Sequence, residues 1–247
     1  GFFNGRRSTP TSIINYRETR RFVKSVGSEL TVTSSIYVTS SAIVGRGTKR
    51  TDPNIPILGV DGHYLNVASI PLSKGRGFTI AEGEEGIPLI IIGSNIEEKL
   101  YEPWETVVGT NLILSGSRYL VIGVLESRGA SFGMSQDNQC LIPIPSVRRQ
   151  FSDNNKNYTI TCAVEDTEQI SQGTELATGA FRMVRGDAPG SPNSFEISKS
   201  NSMVETLLEA TQGITLAASV IGIITLFGAG IGLMNIMLVS VSERTRE

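Results

Sequence analysis

Charged residues vanish from the chain near its C-terminal end: after Glu209 none occurs until Glu243, and residues 210–242 are dense in Ile, Leu, Val, Ala, Met and Gly. A bilayer core about 30 Å thick is crossed by roughly 20 apolar residues in a helix, so the pattern predicts a transmembrane helix over residues 214–241, with length to spare for tilt. Just upstream, Ser202 and Glu205 have capping-box spacing, and Val204, Leu207, Leu208 and Thr211 form an apolar stripe. No strong breaker precedes the span except Gly213. Residues 200–213 are therefore predicted as a stalk helix that runs on into the membrane, a mechanical link between its two ends. Residues 242–247 begin the segment beyond.

The rest of the chain alternates between helical and strand periods. Ser12, Tyr16, Thr19, Phe22 or Val23, and Val26 fall on one face of a predicted helix, Arg17, Arg20, Arg21 and Lys24 lie mainly on the other, and Gly27 stops it. The basic face reads as a solvated surface rather than an anion site. A β-branched strand over residues 30–38 follows. Late in the chain come a strand over 158–164, a helix over 165–184, a Gly/Pro/Ser-rich turn over 186–194 and a short strand over 194–198. These read as two βαβ units, the first lacking its opening strand. Between them, residues 45–157 read as a strand-rich insertion, with strands at 55–60, 89–93, 110–114, 119–124 and 140–144. A short helix is expected over 94–101, capped by Ser94 or Asn95. The fold class expected is α+β, split into residues 1–44 and 158–199, an insert at 45–157, and the long helix.

Charge sets an orientation. Glu205 and Glu209 precede the span, whereas Arg244 and Arg246 follow it at once, and basic residues near a helix end tend to stay cytoplasmic. Residues 1–213 are then extracytoplasmic. A domain so placed needs a secretion signal or an earlier span, so the sequence reads as a piece of a longer polytopic protein. Its 22 Lys and Arg against 24 Asp and Glu leave a net charge of −2, which argues against a nucleic-acid partner.

Little points to chemistry. His63 lies in a Val60-Asp61-Gly62-His63-Tyr64 turn with no Ser, Cys or carboxylate at a catalytic spacing. Gly75 and Gly77 do not make a phosphate loop. No catalytic, cofactor-binding or metal-ligating residue is assigned, and no cofactor is expected in this chain. Cys140 and Cys162 lie in strands outside the membrane, where a disulfide is permitted, although two separately buried thiols are the favoured reading. Within the span, Gly228 and Gly232 form a small-xxx-small pair, and Asn235 is a polar residue that would seek an interhelical partner.

Residues 230–247 (GIGLMNIMLVSVSERTRE) closely resemble the second transmembrane helix and following turn of MacB/FtsX-type ABC transporter permeases. Residues 58–65 (LGVDGHYL), 71–78 (PLSKGRGF) and 119–125 (YLVIGVL) are similar to that family's periplasmic core domain. The resemblance implies a porter-like subdomain of βαβ units interrupted by a strand-rich one, followed by a stalk and transmembrane helix in the bacterial inner membrane. It implies a homodimer among membrane lipids, with an ABC ATPase that drives closure and a stalk that passes the motion outward to a periplasmic adaptor for efflux. Glu243, Arg244, Thr245, Arg246 and Glu247 would then begin the ATPase-coupling segment. Two alternatives within the family are an FtsX-like permease that activates a cell-wall hydrolase and a lipoprotein-releasing permease.

Overall fold

A computed structural model of the chain describes residues 12–27, 30–128, 136–151, 156–164, 169–199 and 202–244, the last stretch with side chains at 211 and 214–238. These residues fall into two compact units, residues 1–196 and 197–247.

The first unit opens with α1 (Tyr16–Val26). The helix starts later than Ser12 because Asn15 caps it: its side-chain oxygen accepts the Glu18 N–H at 3.0 Å, while the Glu18 carboxylate accepts the Asn15 N–H at 2.9 Å. This reciprocal pair satisfies two donors that the first turn would leave orphaned. Thr19, Phe22 and Val26 are buried, one helical stripe, and Gly27 ends the helix at φ 63°.

The strands form a single sheet. Beginning at one edge, its order is β10 (Tyr158–Ala163), β1 (Thr31–Ala42), β4 (Ile55–Val60), β9 (Cys140–Pro143), β6 (Leu89–Ile92), β8 (Ser117–Leu125), β7 (Asn111–Leu114), β2 (Val44–Arg46) and β3 (Lys49–Arg50), with β5 (Leu72–Gly75) on β8 away from this path. Two neighbouring pairs, β4 with β9 and β6 with β8, are parallel; the others are antiparallel. At the β10 end, α1 and α6 (Ile170–Arg185) pack on the antiparallel pair β1 and β10 at the sheet edge. The predicted strand at 194–198 is not sheet: this stretch is irregular, and Phe195 anchors it by packing edge-on against Phe181 at 4.7 Å.

Three apolar clusters hold the unit. One joins α1, α6 and the β1/β10 face through Phe22, Val26, Leu30, Phe181 and Phe195. A second, larger cluster places Ile90, Ile92, Leu112, Leu114, Val121 and Ile142 beneath α4 (Ser94–Leu100) and α5 (Ile144–Gln150). On the opposite sheet face, Leu89, Ile91, Ile122 and Leu141 pack with Leu65 of α2 (Tyr64–Val67) and with Phe78, just ahead of α3 (Ile80–Glu85). Strands β6 and β9 are buried on both faces and therefore read as continuous apolar runs. Helix α4 matches its expected span, but Gly93 occupies the cap position and the buried Ser94 hydroxyl has no partner.

The second unit is one helix, α7 (Ser202–Arg244), of 43 residues. At 1.5 Å per residue it is about 65 Å long. Its apolar stretch, Ile214–Leu238, is long enough to cross a membrane. The stalk and the span are thus one uninterrupted helix, with Gly213 inside it. The capping-box side chains of Ser202 and Glu205 lie outside the described residues.

Candidate functional site

The segments 58–65, 71–78 and 119–125 lie far apart in sequence and meet at one junction. Where β5 pairs with β8, Gly75 stands opposite Gly123. A Cβ on Gly75, which has φ +76°, would lie 2.1 Å from the Ile122 carbonyl oxygen, and one on Gly123 would lie 2.7 Å from that of Arg76. Beside them the Asp61 carboxylate holds the turn after β4. Its Oδ1 accepts from the Thr33 hydroxyl at 2.5 Å and from the His63 N–H at 3.1 Å, and its Oδ2 accepts from the Ser34 N–H at 2.6 Å and the Ser34 hydroxyl at 2.8 Å. The start of α3 closes onto that turn because Gly62 and Gly83 have no side chains to keep it away. Arg76 then grips Glu82 through two bonds of 2.7 Å, while Glu82 also accepts the Thr79 N–H at 2.9 Å. These bonds to the ionised form hold the Glu82 carboxyl at about 2, well below the usual range. Asp61, Arg76 and Glu82 are all engaged in these structural contacts.

A second set of contacts lies at the C-terminal end of α6. Arg185, whose side chain is 4% exposed, donates to the carbonyls of Ser12, Ile13 and Ser194, each at 3.0 Å, contacts the Ser12 hydroxyl and reaches Glu18 at 3.4 Å. Arg182 binds the carbonyls of Ala188 at 2.6 Å and Ser191 at 2.8 Å and the Asn193 side chain at 2.7 Å. The Ser12 N–H itself donates to the Ser194 carbonyl at 3.1 Å. The segment entering α1 and the segment leaving α6 are therefore tied to each other and to one buried guanidinium. In sequence, the pair reads only as ordinary basic residues at a helix end. The available signal is the donor-poor Gly/Pro/Ser loop that follows, whose carbonyls need partners.

On α7, Gly228, Gly232 and Asn235 recur at spacings of four and three and share one stripe of the helix. Side chains built on either glycine would meet nothing within 4 Å. Glu243 and Arg244 end the helix with their side chains outside the described residues, as are Thr245, Arg246 and Glu247 altogether.

The family model for the MacB-like periplasmic core domain matches residues 4–180. The chain belongs to this family. A macrolide export ATP-binding/permease protein MacB from Hyphomonas neptunium is 32% identical over 214 residues, 84% of this chain and 32% of that protein. A pyoverdine export ATP-binding/permease protein PvdT from Pseudomonas syringae pv. tomato is 29% identical over 76% of this chain and 28% of its own length. The chain thus spans about a third of the curated relatives it matches. Among solved structures, the periplasmic region of MacB from Actinobacillus actinomycetemcomitans aligns with a TM-score of 0.61 at 17% identity, covering 77% of this chain and 81% of that one. The extracellular domain of the ABC-type transporter YknZ from Gram-positive bacteria gives 0.55 at 20% identity, over 70% and 85%. Together, a MacB-like periplasmic core domain and an apolar helix of spanning length mark a membrane protein with an extracytoplasmic segment.

His63, Gly75, Gly77, Cys140 and Cys162 all lie within this MacB-like domain. His63 serves as the cap residue of α2 through its backbone. Gly75 and Gly77 lie at the scaffold junction, where Gly77 faces Leu65. Cys140 and Cys162 are free thiols. They sit on β9 and β10, with β1 and β4 between them, three strand spacings of about 4.8 Å apart across the sheet and offset along it by the run from Val32 to Thr39, well beyond disulfide reach. Among the described residues, no group of three or more His, Cys, Asp or Glu could hold a metal ion. Two shallow hollows of about 270 and 220 Å³ are lined by Leu30, Val164 and Leu176 with two glutamines, and by Ser117, Tyr119, Ser146 and Arg149.

Proposed function

We propose that the chain is the extracytoplasmic domain and one membrane helix of a MacB-type ABC transporter permease, which passes ATP-driven motion outward for export together with a periplasmic adaptor. The carrying observation is the continuity of α7 over 43 residues. Of these, Ile214–Leu238 span about 38 Å and the preceding twelve about 18 Å. A helix without a break moves as a rod, so displacement at its cytoplasmic end reaches the other end undamped. In this reading, residues 1–213 face the periplasm, lipid of the inner membrane surrounds the span, and residues 243–247 begin the contact with an ABC ATPase. Two copies pair along Gly228, Gly232 and Asn235, where the missing side chains admit a close helix and the amide finds a partner across the interface.

The test uses the full-length transporter. Cysteines at 228, 232 and 235 are expected to cross-link between protomers, and one at Leu226 on the opposite side is not. Gly213→Pro, which interrupts the helix above the span, is expected to leave ATP hydrolysis intact and abolish export. Export unchanged by that variant overturns the rod mechanism. Capture of a cell-wall hydrolase in place of an adaptor moves the assignment to an FtsX-like regulator.

A further inference from the structure

Arg185 and Phe181 each bring the same three stretches of chain together. The Arg185 Nη1 donates to the Ser194 carbonyl and Nη2 to the carbonyls of Ser12 and Ile13, each at 3.0 Å, while Nη2 also faces the Glu18 carboxylate at 3.4 Å. The guanidinium lies 5.3 Å from the centre of the Phe181 ring, which packs edge-on against Phe22 of α1 at 5.4 Å and against Phe195 at 4.7 Å. One polar and one aromatic node therefore join α1 with its lead-in, α6, and the stretch that leaves α6. In this sequence that stretch leads on to α7. Residues 187–199 contain neither helix nor strand, yet they are pinned at close intervals. Arg182 holds the carbonyls of Ala188 and Ser191 and the side chain of Asn193, the Asp187 carboxylate accepts the Ser194 hydroxyl at 3.1 Å, and Arg185 holds the Ser194 carbonyl. Phe195 is the last buried residue of the stretch, and α7 opens at Ser202.

An irregular segment yields under load by rotating about its soft backbone dihedrals, so a rod that ends on one moves without carrying the domain. Hydrogen bonds and packed rings that fix the segment remove that slack. The planar fork of a guanidinium holds several carbonyls at once in a fixed geometry, and a side chain only 4% exposed keeps water from replacing them. We infer that Arg185 is a positioning residue for the transmission of motion: it stiffens the joint at Ser194 and Phe195, so that displacement of α7 is shared by α6, which carries the arginine, and by α1, which is held through Glu18 and through its lead-in at Ser12 and Ile13. Through these two helices the displacement reaches β1 and β10, on which they pack. The inference rests on the reading of α7 as a rod in an exporter.

The test uses the full-length transporter with a nitroxide attached through Glu98→Cys, at an exposed position of α4, and reads the distance between the labels of two protomers with and without ATP and magnesium. The parent is expected to change that distance with ATP. Arg185→Met is expected to hydrolyse ATP at the parent rate and to lose the change. Thermal unfolding checks that this variant folds, and Arg185→Lys, whose single ammonium cannot span the three carbonyls, replaces it if it does not, with the same loss expected. Leu112→Ala, which empties a buried site in the larger apolar cluster and lowers the thermal midpoint at least as far, is expected to keep the change. A change that persists in Arg185→Met, a loss of hydrolysis along with it, or an equal loss in Leu112→Ala overturns the inference and leaves the rod reading standing. A parent whose distance ATP does not alter removes the rod reading, and the inference with it.

Discussion

Gly75 and Gly123 stand opposite each other where β5 pairs with β8, and neither leaves room for a methyl group. A side chain on Gly75 would run into the Ile122 carbonyl at 2.1 Å and would also impose a positive φ on a residue that resists it. Gly75→Ala is expected to lower stability by about 2–4 kcal/mol, with Gly123→Ala close behind. By contrast, Gly109→Ala, at a positive φ in open space, should cost about 1 kcal/mol. Denaturant midpoints of the three variants check the order, and equal losses would remove the close-approach argument.

Glu82 ties the same junction to pH. Its carboxyl is held at about 2 by Arg76 and by the Thr79 amide, below an ordinary value near 4.5. A pKa lower in the folded state than in the unfolded state gives stability that is complete above the ordinary value and lost as pH falls from about 4.5 towards 2. Arg76 is 54% exposed, so screening limits the effect to about 1 kcal/mol. Glu105, bonded to Arg46 and to the Glu102 amide, is lowered to about 2 in the same way. Thermal midpoints from pH 7 to pH 2.5 should fall less steeply in Glu82→Gln than in the parent, and less again when Glu105→Gln is added.

Burial raises both thiols, that of Cys162 to about 11 and that of the fully enclosed Cys140 further still. Neither is expected to react with iodoacetamide at pH 8 in the folded protein, and both should react in denaturant. Non-reducing electrophoresis should show no internal bridge. Rapid labelling of Cys140 in the native state would contradict its burial between the sheet and its helices.

Arg185 holds three carbonyls and one carboxylate from a nearly closed site. Arg185→Met is expected to cost about 3 kcal/mol, because Glu18 and the freed carbonyls lose their donor inside the protein. Limited proteolysis should show new cleavage within residues 187–199, the stretch that Arg182 and Arg185 restrain. Cleavage at the parent rate, alongside an unchanged midpoint, would remove the clamp.

What could be read along the chain was whatever depends on neighbours in sequence. The loss of charge after Glu209, the strands read over 55–60 and 158–164 and the stop at Gly27 all follow from period and local backbone preference. Shorter elements escaped this reading. Strands β2 and β3 have three and two residues, too few for a pattern, and β5 (Leu72-Ser73-Lys74-Gly75) lacks an apolar run; their neighbours in the sheet template them. The expected strand at 194–198 failed because Phe195 found a better place against Phe181 than in a ladder.

By itself, then, the sequence determined an α+β domain followed by one long apolar helix, since helical and strand periods and charge exclusion from a bilayer are local properties of the chain. Only the tertiary structure decided that Gly62, Gly75, Gly83 and Gly123 serve one junction and that Arg185 joins Ser12 to Ser194. Each of these depends on which strand lies beside which, and strand order is a matter of global packing that no local pattern encodes.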